Sequence, residues 1–270
     1  MYRKFELKIS DSFYNEEIKP YSQFGNGRYN RDESKWKNDL KEFILKNEKI
    51  DGAALKEHWF NQIKADIFIS HSHNDLDKVK AFAGWLYQKF RLTTFIDSCV
   101  WGYCGDLLKE IDEMYCKNSI GNYDYNARNY STSHVHMMLS IALTQMMDST
   151  ECVILYNTPN SVYWGKELED IKVRKKKTLS PWIYYELANT KVLEEKEPLR
   201  LKKHIDDRKA MFESIKGPQI EQDVTEYIKD MTKLNDNILK KWKNTYCDGK
   251  ENEIKSAHPL DILYAITNKI

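Results

Sequence analysis

"ADIFISHSHNDLDKVKAFAGWL", residues 65 to 86, is the stretch whose reading decides the fold of this chain. Asp66 to Ser70 is a short apolar run of strand length. Val79, Phe82, Ala83, Leu86 and Phe90 follow at helical spacing. A buried strand that feeds an amphipathic helix through a polar loop is the first half of a βαβ unit.

The loop itself has three readings. His71, His73 and Asp75 have the spacing of a metal-binding elbow, and imidazoles with a carboxylate suit zinc. A metallo-hydrolase elbow runs His-x-His-x-Asp-His, however, and Leu76 stands where the last histidine belongs. Such folds also need further ligands on glycine-rich loops, and the chain has only 10 glycines. In the second reading Ser72, Asn74 or Asp75 caps the helix that starts near residue 76. In the third, a polar loop at the carboxyl end of a strand holds a nucleotide.

Further along, "LTTFID" (92–97) is β-branched and aromatic, which predicts a second strand. Leu107, Leu108 and Ile111 suggest a helix, and Val135, Met138, Leu139, Ala142, Leu143 and Met146 predict a stronger one. "ECVILYN" (151–157) predicts a buried strand. "VRKKK" (173–177) reads as a solvated loop. In "SPWIYYELANTKVL" (180–193), Ser180 is an N-cap and Pro181 sits at the first helical position. Strand and helix thus alternate between residues 66 and 193, which predicts an α/β fold with a parallel sheet.

The flanks read as helical. Ser34 as a cap, with Trp36, Leu40, Phe43 and Leu45, predicts one helix, and "AALKEHWFNQI" (53–63) a second after the Asp51-Gly52 turn. Residues 1–63 are therefore expected to be a helical N-terminal extension, structural or regulatory in role. Val224, Tyr227, Ile228, Met231, Leu234, Ile238 and Trp242 form a long helical stripe in the C-terminal part, 201–270.

Bulk composition excludes several classes of function. The chain has 270 residues, 41% of them hydrophobic and 31% charged, as in a globular protein with a wet surface. Lys+Arg is 42 against Asp+Glu 41, so nothing implies a nucleic-acid or anionic-membrane partner. No apolar run approaches the roughly 18 residues of a membrane span. "MYRKFELKIS" lacks the apolar core of a signal peptide. Cys99, Cys104, Cys116, Cys152 and Cys247 are an odd, scattered set without CxxC, so free thiols in a reducing cytoplasm are expected.

Three segments in order resemble a TIR domain, specifically the bacterial TIR proteins. "ADIFISHSHNDLDKVKAFAGWL" is similar to the family's first strand, polar loop and first helix. "TTFIDSCVWGYCGDLL" (93–108) is similar to the second strand and its loop, with Asp97 and Gly105-Asp106 in place. "CVILYNTPNS" (152–161) with "SPWIYYEL" (180–187) resembles the third strand and the helix of the Trp-x-x-x-Glu signature, here Trp182 and Glu186. The resemblance covers roughly residues 64 to 200. It implies a flavodoxin-like TIR fold, a parallel sheet flanked by helices, with helical N- and C-terminal additions. The C-terminal part would complete the sheet, with "PLRLKK" (198–203) and "QIEQDV" (219–224) as candidate strands. The stretch 116–133 departs from a compact TIR domain, and 106–115 and 134–148 compete for the family's second helix.

The arrangement is similar to TIR proteins of Thoeris antiphage defence. That similarity implies an NAD+ nucleosidase or ADP-ribosyl cyclase that cleaves the nicotinamide–ribose bond, with NAD+ as substrate and neither cofactor nor metal. Glu186 would be the catalytic carboxylate, and Trp182, one helical turn earlier, would orient it. Ser70, His71, Ser72, Asp97, Trp101 and Tyr103 would line the NAD+ pocket. The expected partners are other copies of the chain, through TIR–TIR contacts, and a separate effector that reads an ADP-ribose-derived signal. Residues 116–133 would be a lid over the pocket or a plain surface loop. Two other readings stand beside this one: a non-catalytic TIR adaptor that acts by self-assembly, and a zinc-dependent hydrolase built on the HSHND loop.

Overall fold

The computed structural model describes residues 1–29, 40–45, 49–100, 104–118, 120–165, 175–198, 200, 221–248 and 257–268. Its main sheet has five parallel strands in the order β3-β2-β4-β1-β8. These are β1 (Arg3–Leu7), β2 (Ile67–Ser70), β3 (Thr94–Phe95), β4 (Cys152–Tyr156) and β8 (Thr232–Leu234). A small antiparallel sheet joins β5 (Tyr163–Trp164), β6 (Lys176–Thr178) and β7 (Gln222–Asp223). The helices are α1 (Asp11–Phe13), α2 (Ser22–Arg28), α3 (Gly52–Trp59), α4 (Leu76–Phe90), α5 (Asp97–Val100) and α6 (Cys104–Tyr115). Then follow α7 (Tyr125–Ser149), α8 (Pro181–Val192), α9 (Thr225–Lys229), α10 (Asp236–Asp248) and α11 (Pro259–Thr267).

The period-2 alternation of each strand sorts the core into two faces. Phe5, Leu7, Ile67, Ile69, Cys152, Ile154, Tyr156 and Leu234 face one way and pack with α4, α10 and α11. Phe68, Phe95 and Val153 face the other way onto α3, α6 and α7, while Leu155 meets Ile183 and Leu187 of α8. Helices on both faces of a parallel sheet make a doubly wound α/β fold. β2 runs through α4 to β3 on one side, and the chain returns through α6 and α7 to β4 on the other. The carboxyl ends of β2 and β4 therefore flank a topological switch point, where open α/β sheets bind ligands.

Three sequence expectations are corrected here. Residues 1–63 are not a helical extension alone, because β1 is an interior strand paired to both β4 and β8. "RKFEL" hides this role, since Glu6 interrupts its apolar pattern and takes its neutralising charge from elsewhere in the chain. The helical stripe from Val224 to Trp242 is broken into α9, β8 and α10, and its middle supplies a strand rather than a helix. From "QIEQDV", Gln222–Asp223 joins the small sheet and not the main one, and most of "PLRLKK" lies outside the described residues. The cap at Ser34 and the stripe residue Trp36 also lie outside them, and Leu40–Phe43 is a short 3-10 turn.

Helices α2 and α4 touch backbone to backbone. A Cβ on Gly25 would stand 2.1 Å from the Lys80 carbonyl oxygen, and one on Gly84 would stand 2.9 Å from the Tyr21 carbonyl oxygen. Alanine at position 25 would gain at most about 1 kcal/mol in helix propensity. Overpacking against backbone, which has no far end to swing away, costs about 1–3 kcal/mol or more. The clash wins, and Gly25→Ala is expected to lower the denaturant midpoint. Gly27→Ala is the control: its Cβ meets nothing within 4 Å, so the propensity gain stands alone and the midpoint rises.

Candidate functional site

Ser70 ends β2, and Glu186 lies in the middle of α8. Helix α8 starts where the sequence signals it: the Ser180 side chain accepts a hydrogen bond from the Ile183 N–H, and Pro181 occupies the first turn. The Ser70 hydroxyl donates to Glu186 Oε2 at 2.5 Å. Both residues are buried, Glu186 being only 4% exposed. Burial pushes the Glu186 pKa well above its ordinary 4.5, the Asp97 charge adds to the rise, and the Ser70 hydrogen bond offsets part of it. The resting site therefore holds Glu186 toward its neutral acid form.

This makes Glu186 a stability liability with a defined pH dependence. In the unfolded chain the carboxyl titrates at its ordinary value; in the fold its pKa is raised. The folded state therefore binds the proton more tightly, and its stability falls as pH rises from 4.5 towards the folded pKa. Glutamine keeps the volume and cannot ionise. Glu186→Gln is thus expected to raise the denaturant midpoint at neutral pH, with the gain vanishing as pH drops below 4.5. Midpoints measured across this range check the sign.

His71 and Asp97 stand beside the pair. The His71 ring faces the Ile69 carbonyl through Nδ1 at 3.1 Å, so Nδ1 carries the hydrogen. Its Nε2 lies 3.2 Å from Ser98 Oγ, which is also 3.2 Å from Asp97 Oδ1. Asp97 opens α5, and its Oδ1 is 4.0 Å from His71 Nδ1. Ser70, His71, Asp97 and Glu186 are thus brought together, with Ser98 as a bridge that the sequence reading misses. Ser72 lies in the same loop, but its side chain caps nothing. Trp182 packs on the buried His136 of α7, the rings 5.4 Å apart and edge to face, so in this arrangement it serves α7–α8 packing. Trp101 and Tyr103 lie outside the described residues.

The zinc elbow is not assembled. The His71 ring is held by Ile69 and Ser98, His73 is exposed, and the Asp75 carboxylate is buried on Thr158 Oγ1 at 2.5 Å and Asn160 Nδ2 at 2.9 Å. Asp75 is the N-cap of α4 yet makes no side-chain cap, because its carboxylate staples the loop after β4 instead. Among the described residues, three groups within mutual ligand distance occur at Glu151, His258 and Asp261, at the opposite end of the sheet. There Arg200 already pairs with both carboxylates.

A second buried carboxylate shares the site's face. Ser70, Leu155, Glu6 and Lys233 are in register across β2, β4, β1 and β8, so their side chains point the same way. Glu6 receives Asn157 Nδ2 at 2.5 Å, Lys176 Nζ at 3.1 Å and also Lys233 Nζ. Burial alone would raise the Glu6 carboxyl, but Lys233 and Lys176 outweigh it and hold its pKa below the ordinary value. The run "VRKKK" is accordingly not just a solvated loop: Lys176 lies in β6 and its side chain is only 16% exposed. The two buried carboxyl groups on this face are thus pushed in opposite directions, Glu186 up and Glu6 down.

Residues 116–133 turn from α6 into the first turns of α7, and their hydrogen bonds run to α6: Arg128 and Ser131 to Asp112, Tyr123 to Glu113. None of these bonds reaches Ser70 or Glu186. Among the described residues no helix is long and apolar enough to cross a membrane. No family model, no curated protein and no solved structure matches this chain.

Proposed function

We propose that this chain is a TIR-type NAD+ nucleosidase or ADP-ribosyl cyclase, with Glu186 as its catalytic carboxylate. The observation that supports this reading is the buried Ser70–Glu186 pair at the carboxyl edge of β2, beside the β2/β4 switch point. Nicotinamide leaves NAD+ as a neutral molecule from a cationic ring, so it needs no acid. The ribose becomes oxocarbenium-like, as in glycoside cleavage. A carboxylate held in a dry pocket stabilises that charge. A buried acid without a cation nearby stays protonated, and a positively charged substrate ring is what draws its pKa back down. In this reading the enzyme rests as a neutral acid and ionises on binding NAD+. The product is an ADP-ribose derivative that a separate effector reads in antiviral defence of the Thoeris kind.

The adaptor reading draws on a different feature. Ile120, Tyr125 and Tyr130 are 83%, 77% and 71% exposed on the α6–α7 hairpin, the apolar side chains that contacts between copies would cover in that reading. Incubation with NAD+, followed by chromatography, separates the two readings. Release of nicotinamide, unchanged by a chelator, is the expected result. Intact NAD+ beside protein that assembles into oligomers and passes on its signal would favour the adaptor. Filtered products added to candidate effectors test the signal: activation by a product other than free ADP-ribose is expected.

A further inference from the structure

Among the described residues, the charges around Glu6 do not balance locally. One carboxylate meets three ammoniums: Lys176 at 3.1 Å, Lys8 at 3.5 Å, and Lys233. A single cation would neutralise it. Three leave two positive charges in surplus, and like charges this close repel unless another anion joins them. The donors are not exhausted either, because each ammonium carries three N–H groups. Lys233 gives one more to the Ile228 carbonyl at 2.7 Å, and the largely exposed Lys8 keeps the rest for solvent or ligand.

The neighbourhood has a second feature that points to a ligand. Trp164 is 57% exposed, on the short β5 strand directly opposite Lys176. The Lys176 Nζ sits 5.8 Å from the centre of its ring. A large flat ring left in water beside a cluster of ammoniums is costly to expose and well suited to stack on a base. The cluster lies at the carboxyl edge of the sheet, two strands from Ser70 in the same row, roughly 10 Å at strand spacing. The loop after β4 reaches from the cluster to the polar loop that follows Ser70: Asn157 binds Glu6, and Thr158 and Asn160 bind Asp75.

We infer that Lys8, Lys176 and Lys233 around Glu6 form a phosphate subsite, with Trp164 as its base platform, on the same sheet face as Ser70 and Glu186. That the anion is a nucleotide diphosphate rests on the NAD+ reading above. Glu6 then has a role beyond neutralising lysines. It gathers the ammoniums while the site is empty and limits how tightly the phosphates are held.

The test is calorimetric titration of the full chain with inorganic pyrophosphate and with ADP. Lys8→Gln with Lys233→Gln changes two well-exposed side chains and removes the surplus charge; it is expected to weaken both ligands by on the order of tenfold per ammonium. Glu6→Gln acts in the opposite direction, freeing the three ammoniums, and is expected to tighten both ligands. Trp164→Ala is expected to weaken ADP by on the order of tenfold and to leave pyrophosphate unchanged. No binding of either ligand at millimolar concentration, or affinities indifferent to the lysine variants, or weaker binding in Glu6→Gln, would overturn the subsite. ADP binding with this pattern beside uncleaved NAD+ would keep the subsite and discard the cleavage reading. Cleavage lost in Glu186→Gln but phosphate affinity indifferent to the lysines would do the reverse.

Discussion

Glu186→Gln is expected to lower the proposed NAD+ cleavage by about 10²–10³-fold and to leave the protein folded. The amide fills the same volume and still meets the Ser70 hydroxyl, so the geometry of α8 against β2 survives. What it loses is the ability to carry negative charge opposite a developing cation, in a pocket where water cannot replace it. The loss is expected in kcat, where the ribose charge develops, and somewhat more in kcat/KM, because the carboxylate also faces the cationic ring of bound NAD+. The wild-type rate should rise with pH as the raised Glu186 carboxyl ionises, and the residual rate of the variant should lack that rise. His71 and Asp97 hold the surrounding loop, and their substitution is expected to cost less. Full cleavage in Glu186→Gln, with activity abolished by Asp97→Asn or His71→Ala, would move the chemistry to the loop.

Trp242→Ala is expected to cost about 3–5 kcal/mol, a large part of the roughly 5–15 kcal/mol that holds a domain folded. Its side chain is fully buried on α10, and its ring stacks on Phe90 of α4 at 3.9 Å and 11°. Trp85 meets it edge to face at 6.3 Å. Its indole N–H donates to the Pro259 carbonyl oxygen at 2.9 Å, so alanine also strips a partner from the start of α11. The melting temperature should fall by roughly 6–20 °C at the ~2–4 °C per kcal/mol usual for chains of this size. Trp242→Phe keeps most of the stack and loses the hydrogen bond, so it should fall in between. A loss below about 1 kcal/mol for Trp242→Ala would mean that α10 unfolds apart from the core.

What the sequence reveals follows from how far each contact reaches. "DIFIS" and "CVILY" are legible as strands because central parallel strands are apolar on both faces and need no partner to be recognised. The α8 start is legible because Ser180 and Pro181 act within one turn. That Ser70, Asp97 and Glu186 come together is suggested in the sequence only by the TIR resemblance, since nothing local says that positions 70 and 186 meet. β1 is hidden for the same reason, because Glu6 reads as surface until Lys176 and Lys233 come alongside. β8 is hidden because three residues of strand between two helices keep the helical period by chance. The role of Asp75 is misread for a local reason: at a helix start an aspartate usually caps, yet here Thr158 and Asn160 offer it two donors.

The place of β1 in the sheet has a consequence for how the chain is made. β1 is synthesised well before its two neighbours, β4 and β8; Glu6 meets Asn157 across 151 positions and Lys176 across 170. Until then the growing polypeptide carries an unpaired strand and, once β4 is out, an open sheet edge waiting for it. The Glu6 carboxylate also lacks its lysines, so early docking would bury an unneutralised charge. The final register therefore closes only once β8 has been synthesised. Nascent chains are therefore expected to be prone to aggregation until β8 is made, and their yield to respond to chaperone supply and translation speed.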